Sequence, residues 1–482
     1  MNPYIALTIL VAYFAMLIVV SYYTSRGADT NTFFTANRQS PWYLVAFGMI
    51  GTSLSGVTFV SVPGAVLNIQ FSYFQVVLGY LLGYLVIGTV LMPLYYRLNL
   101  ISIYSYLGDR FGFWSYKSGS AFFLLSRTVG SAVRLYVAAG VLQIALFEPL
   151  GVPFELAVAI TILLIWVYTF KGGVKTIIVT DTLQTTFLIT AVILTIILVS
   201  RELNIQGFSD MVSTVKASDY SKIFYWDAND PKNFFKQFFA GAFIAIVMTG
   251  LDQDLMQKNL TCKNIGEAQK NMFWFTVVLV IVNLLFLSLG ALLYLYASSK
   301  GIALPEKTDD FYPMLALNNL GVVVGITFLL GITAATYASS DSALTALTTA
   351  FCIDFMNVEG KPEAQRSTIK FWVHIGFSVL FYVVILIFKQ LNSKEVITAV
   401  FDLAGYTYGP LLGLFSFGLF LKRPVMDRYV PIVCIIAPIL TYIVNENSEE
   451  WLGGYKIGFE RLILNGLITF AGLWLLSLGK KK

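Results

Sequence analysis

Charged residues, histidine and cysteine are all scarce in this 482-residue chain. Asp, Glu, Lys and Arg make up 12% of it, whereas about a quarter is usual for a soluble globular protein. A soluble fold is therefore not expected. His374 is the only histidine, which excludes a metal site built from several histidines. The three cysteines, Cys262, Cys352 and Cys434, have no metal-binding spacing and indicate no disulfide framework.

Hydrophobic residues, in contrast, make up 57% of the chain and aromatic residues 15%. The mean hydropathy is +0.74. The formal net charge of +5 requires no nucleic-acid partner, because basic loops on the cytoplasmic side of a membrane produce such an excess. The composition predicts an all-α polytopic protein of the lipid bilayer, with residues 1–482 as a single membrane domain.

Apolar stretches long enough to cross about 30 Å of hydrocarbon predict about thirteen membrane spans. They lie near residues 4–24, 42–65, 71–96, 118–147, 153–170, 175–200, 236–257, 271–296, 318–351, 369–388, 395–420, 429–445 and 460–478. Lys and Arg are more frequent in the loops on one side, among them Lys117, Lys258, Lys270 and Lys480 to Lys482. This bias predicts a multi-pass protein of the cell membrane, with its N-terminus outside and its C-terminus in the cytoplasm.

The spans also indicate an internal repeat. Five spans in residues 42–200 and five in 236–420 begin on opposite sides, with 4–24, 429–445 and 460–478 as peripheral helices. The first span of each group is interrupted by polar residues, "GTSLSGVT" at 51–58 and "TGLDQD" at 249–254. Interruptions at matching positions predict a binding site at the midplane of an inverted-repeat transporter. Alternatively, the small residues only permit close helix packing.

The ninth span contains a dense polar cluster, "TYASSDSALTALTT", at residues 336–349. Thr336, Ser339 and Ser340 are spaced for one helical face, and Ser342 lies beside it. Hydroxyls and the carbonyls of a broken helix could together bind a hard cation such as sodium, because such cations prefer oxygen ligands. Alternatively, these hydroxyls bond to carbonyls of their own helix.

Four longer segments resemble those of the sodium/solute symporter family. They are "DTNTFFTANRQSPWY", "LMPLYYRLNLISIYSYLGDRFG", "YTFKGGVKTIIVTDTLQTTFL" and "GYTYGPLLGLFSFGLFLKR". The resemblance covers nearly the whole chain and is nearest to the iodide, vitamin and monocarboxylate branch and its bacterial relatives, with the sugar and sialic acid branches more distant. It implies an inverted five-plus-five helix fold and sodium-coupled import of a small polar organic solute by alternating access. It also implies no enzyme activity and no cofactor other than sodium as the coupling ion.

The resemblance further implies two ion sites. The first sodium site would use carbonyls of Gly51, Leu54 and Thr336 and the hydroxyls of Ser339 and Ser340. A second site, present in some members, would use Asp181, Ser339 and Ser342. Ala343 stands where those members have a further hydroxyl. We therefore expect one tightly coupled sodium ion, with at most a weak second one that would balance the charge of Asp181.

For the solute, the resemblance implies a cavity between the two interrupted spans. Its expected contacts are Ser55, Thr58, Gln75, Asp252, Gln253, Arg134 and Asp402, with Tyr80 and Arg127 as further candidates. Charged groups within a span suggest a polar or charged solute. Alternatively, the arginines form fixed pairs with Asp252, Asp254 or Asp402 and do not contact the solute.

Two other functions are compatible with parts of the pattern. A sodium or solute channel could line its pore with the same hydroxyls and carbonyls. An intramembrane hydrolase could use the "GTSL" stretch at residues 51–54 with His374 as its base. Accumulation of solute against its gradient, driven by sodium, distinguishes a carrier from a channel.

Overall fold

The computed structural model describes residues 3–391 and 396–479, so Lys480 to Lys482 lie outside the described residues. Within those ranges the regular structure is helical, which confirms the all-α prediction. The first half of the chain forms α1 (Pro3–Thr24), α2 (Thr30–Thr35), α3 (Trp42–Ser53), α4 (Gly56–Ile69), α5 (Tyr73–Val86), α6 (Met92–Arg97), α7 (Ser105–Arg110), α8 (Phe113–Leu142), α9 (Phe154–Thr169), α10 (Gly173–Glu202) and α11 (Gly207–Ala217).

The second half forms α12 (Phe234–Ala245), α13 (Gln253–Asn259), α14 (Ile265–Lys300), α15 (Phe311–Asn318), α16 (Gly321–Asp354), α17 (Glu363–Leu391), α18 (Val396–Thr407), α19 (Gly409–Phe420), α20 (Val430–Glu446), α21 (Ser448–Trp451) and α22 (Arg461–Leu478). Single π-helical turns continue three of the helices. They are Ile87–Leu91 between α5 and α6, Gln143–Phe147 after α8 and Ile246–Gly250 after α12.

In the described ranges, nine helices are long and apolar enough to cross a membrane, and three bent helix pairs also pass that test. The shorter apolar helix α9 adds another segment. Each of the predicted spans therefore coincides with a helix or a bent pair.

Both predicted interruptions are breaks in the helices. The axes of α3 and α4 differ by 56° and those of α12 and α13 by 68°. At the first break, Leu54 has φ −88° and ψ 67°, outside the helical range. At the second, Asp252 is extended, and its carboxylate accepts a hydrogen bond from the backbone N–H of Asp254, which caps α13.

A third break, between α18 and α19, bends the chain by 44° at Tyr408 and was not predicted. Gly409 and Pro410 follow Tyr408 directly. Proline lacks a backbone N–H and disfavours a helical residue before it, so this pair was the available signal.

The position predicted for Lys258 is wrong. From the sequence it is expected in an inner loop, but its side chain is only 2% exposed. The sharp bend between α12 and α13 explains the difference, because the polar second half of the span turns back among other helices and packs against α16 and α3. Lys258 is thus an internal charge and says nothing about membrane orientation.

Candidate functional site

The break between α3 and α4 lies directly against α16. The backbone N–H of Gly51 donates to Thr185 Oγ1 at 3.0 Å. A Cβ atom added to Gly51 would be 3.6 Å from Ala338 Cβ. Thr185 lies on α10 and Ala338 on α16, so Gly51 packs against both helices, and Gly56, two residues after Leu54, approaches Thr336.

Two buried hydroxyls on that face of α16 have no hydrogen-bond partner in the described part of the chain. They are Thr336 Oγ1 and Ser340 Oγ, and Ser340 is only 1% exposed. Ser339 Oγ donates to the Thr336 carbonyl at 2.9 Å. Because an unpaired buried hydroxyl is costly, these oxygens fit a site that a cation completes.

The contact between the break and α16 leaves no room for a side chain at Gly56. A Cβ atom there would lie 2.2 Å from Thr336 Oγ1. We expect Gly56→Ala to destabilise the protein by about 1–3 kcal/mol through overpacking and to weaken sodium-dependent uptake. The added substitution Thr336→Ala should restore much of the thermal stability, since it removes the clashing oxygen. Equal melting temperatures for the wild type and Gly56→Ala would contradict this packing.

Asp181 lies on α10 and is fully buried. Its carboxylate forms an ion pair with the ammonium group of Lys258 and accepts a hydrogen bond from Thr52 Oγ1 at 2.9 Å. Ser342, expected beside it in a second sodium site, donates instead to Asp254. Sequence reasoning missed Lys258 because it placed this residue in a loop.

Arg127 forms a second buried ion pair, with Asp254. Its Nη1 also lies 3.8 Å from Asp252 Oδ2, and Tyr408 donates to that oxygen at 2.5 Å. This network joins α8 to the start of α13 and to the bend between α18 and α19. The fixed pairing considered from the sequence is thus the arrangement that Arg127 adopts.

A cavity lies between the first two breaks, and we refer to it as the central cavity. Ser55, Thr58 and Arg134 line it, as expected for solute contacts. Its other polar lining residues are Thr52, Ser53, Tyr73, Tyr80, Tyr84, Arg127, Thr249 and Asn283. The space open to the centres of water molecules is about 80 Å³, so the cavity is narrow in this conformation.

Three other expected solute residues are engaged elsewhere. Gln75 donates to the Gln237 side chain at 3.0 Å. Gln253 donates to the Ile101 carbonyl at 2.7 Å. Asp402 forms an ion pair with Arg461 at 3.2 Å. Contact of these three residues with solute stays a prediction, and their observed partners give each of them a structural role.

The single histidine is held away from the "GTSL" stretch by its hydrogen bonds. His374 is buried, and its ring nitrogens bond to Thr169 Oγ1 at 3.1 Å and Thr348 Oγ1 at 2.9 Å. Both imidazole nitrogens are therefore occupied, and the arrangement offers no serine–histidine pair for hydrolysis.

Comparison with known proteins identifies close matches over most of the chain. The model of the sodium:solute symporter family matches residues 33–427. The sodium/sialic acid symporter NanT of Aliivibrio fischeri is 26% identical over 470 residues, covering 94% of this chain and 90% of that protein. The sodium/sialic acid symporter SiaT of Proteus mirabilis is 24% identical, covering 94% and 92%. Sodium-coupled monocarboxylate transporter 1 of Mus musculus is 24% identical, covering 84% and 68%.

A solved structure has the same fold. The substrate-bound, outward-open state of a sodium-coupled sialic acid symporter superimposes with a TM-score of 0.83 at 20% identity, covering 99% of this chain and 98% of that one. A nucleobase-cation-symport-1 family transporter in a closed conformation gives a TM-score of 0.54 at 14% identity, covering 92% and 94%.

Proposed function

Since the chain belongs to the sodium:solute symporter family and is a sodium-coupled transporter, not an enzyme, we propose that its solute is a small organic anion. The observation that carries this proposal is Arg134. Its guanidinium lines the central cavity and has no ion pair within residues 3–391 and 396–479. Arg127, by comparison, already has Asp254 as its counter-charge.

The chemistry of arginine favours a carboxylate as the missing partner. A guanidinium presents paired N–H donors whose geometry matches the two oxygens of a carboxylate, and such charged hydrogen bonds are strong. Arg134 is partly buried, and a guanidinium withdrawn from water without a counter-ion is costly. A solute carboxylate bound at Arg134 would therefore gain affinity from both effects, while Thr58, Tyr80 and Asn283 offer hydrogen bonds to its other polar groups.

The relatives support an anion. Sialic acid, monocarboxylates and iodide, which their names give as solutes, all carry negative charge at neutral pH. Because this chain is similar to each of these carriers, the negative charge that their solutes share is a better guide to its own solute than the name of any one of them.

The coupling ion would bind at the first break. Carbonyls of Gly51, Leu54 and Thr336 and hydroxyls of Ser339 and Ser340 form the proposed sodium site. The protein lies in the lipid bilayer of the cell membrane, with its N-terminus outside and its C-terminus in the cytoplasm. Residues 42–200 and 236–420 form the two inverted repeats that move relative to each other during alternating access.

The test is an uptake screen in proteoliposomes, with and without an inward sodium gradient. The panel includes sialic acid, monocarboxylates, iodide, neutral sugars and amino acids. We expect sodium-driven accumulation of at least one anion. Arg134→Gln should reduce its uptake about tenfold or more, because a charge-assisted hydrogen bond contributes at least about 1.5 kcal/mol.

Arg201→Gln, an exposed arginine at the end of α10, is the matched control and should transport normally. Arg134→Lys should retain part of the activity, because it keeps the charge but loses the paired donors. Sodium-driven uptake of a neutral solute, unaffected by Arg134→Gln, would refute the assignment.

A further inference from the structure

Lys258 carries its charge in the protein interior, where an ammonium group without an opposite charge would destabilise the fold. It lies on α13, the short helix after the second break, and its side chain is 2% exposed. Burying an ammonium group is very costly unless an opposite charge and hydrogen bonds compensate it. The partners of Lys258 therefore indicate what its charge does.

Those partners come from two other helices. The ammonium group donates to the carboxylate of Asp181 on α10 and to the hydroxyl of Thr52 on α3. Thr52 Oγ1 also donates to Asp181 Oδ2 at 2.9 Å. Thr52 directly follows Gly51, so the lysine charge is held beside the first break although it is carried by the second broken span.

We infer that the ammonium group of Lys258 is a built-in cation that occupies the Asp181 pocket, so that only one sodium ion binds this protein. This inference rests on the proposed sodium site at the first break. A sodium ion bound to Asp181 would lie close to the ammonium group. Both are cations in a poorly hydrated environment, where like charges repel strongly.

The remaining oxygens near Asp181 support the same conclusion independently. Ala343 supplies no hydroxyl. The Ser342 hydroxyl donates to the carboxylate of Asp254 on α13 and not to Asp181. Lys258, in contrast, finds a carboxylate and a hydroxyl acceptor within reach. The lysine thus takes the position beside Asp181 that a second cation would need, while Asp181 Oδ1 has no hydrogen-bond partner among the described residues.

With a single sodium ion, transport of a monovalent anion is electroneutral. One sodium ion moving with one monovalent anion carries no net charge, since Lys258 stays with the protein. The final accumulation ratio of such an anion should therefore be independent of an imposed membrane potential, although it depends on the sodium gradient.

Equilibrium binding of radioactive sodium to the purified full-length protein in detergent tests the inference without a known solute. We expect one saturable sodium ion per wild-type chain. Lys258→Met frees Asp181 and should add a second ion. The double variant Asp181→Asn/Lys258→Met removes both charges and should bind one ion again, with an affinity within about twofold of the wild type.

Two saturable ions in the wild type would overturn the inference, as would a folded Lys258→Met protein that still binds one. If Lys258→Met does not fold, the double variant decides. One ion with unchanged affinity supports a separate lysine-filled pocket, and loss of that ion overturns it. Failure of the sodium site itself has a different signature, because the wild type would then bind no sodium while Lys258→Met binds one.

Discussion

Arg127→Met is expected to destabilise the protein by about 3–5 kcal/mol, because it leaves Asp254 buried without its counter-charge. The pair is almost fully inaccessible to solvent, with side-chain exposures of 4% and 1%. Ser342 also donates to Asp254, but a neutral hydroxyl cannot replace a guanidinium charge. The loss should appear as a lower melting temperature in detergent and a smaller yield of monodisperse protein.

A double-mutant cycle separates the ion pair from packing. Arg127→Met/Asp254→Asn should be clearly more stable than Arg127→Met alone, since no unpaired charge remains. Arg461→Met is the matched control, because its pair with Asp402 is partly exposed, at 12% and 18%. We expect it to cost clearly less than Arg127→Met, because water still reaches both groups of this pair. A similar loss of stability in Arg127→Met and Arg461→Met would contradict the expectation that the fully buried ion pair matters more than the partly exposed one.

The helices and two of their breaks could be predicted from the sequence because the signals are local. Long apolar runs give the spans, and the polar interruptions at residues 51–58 and 249–254 give the breaks. The bend at Tyr408 was also marked locally, by Gly409 and Pro410, but the surrounding run is apolar. An apolar run with one proline is compatible with a helix that ends before the proline as well as with a helix that bends there.

The charge pairs could not be predicted, because each joins residues far apart in the chain. Arg127 and Asp254 are 127 positions apart, and Lys258 and Asp181 are 77 apart. The sequence offers Asp252, Asp254 and Asp402 as possible partners for the arginines, and nothing in it selects among them. From the sequence, Lys258 is expected in a loop because a straight continuation of the span places it there. The chain instead turns by 68° just before α13, which places the lysine among other helices.

The sodium-site residues differ from these pairs because their function depends on a partner that is not part of the chain. Ser340 Oγ is buried and has no hydrogen-bond partner among the described residues. Without sodium, Ser340→Ala should therefore keep or slightly raise the melting temperature, since it removes an unsatisfied hydroxyl. With sodium present, the wild type should have the higher melting temperature, because only the wild type gains the full free energy of sodium binding.

The sodium-dependent gain in stability can be calculated from the sodium concentration and the dissociation constant. At a sodium concentration of 100 times the dissociation constant, a single site stabilises a protein by about 2.7 kcal/mol. We expect Ser339→Ala and Ser340→Ala each to lose about half of this gain and to need about tenfold more sodium for half-maximal uptake, as loss of one ligand of about 1.4 kcal/mol implies.

Thr333→Ala is the matched control for this last experiment. Thr333 is buried on the same helix but is not one of the proposed sodium ligands, and its hydroxyl donates to the Leu329 carbonyl at 2.6 Å. Its removal should leave the sodium-dependent rise in melting temperature unchanged. If Ser339→Ala and Ser340→Ala both retained the wild-type sodium response, the site would have to lie elsewhere. The unpaired hydroxyl of Ser340 would then be a cost to stability that sodium binding does not offset.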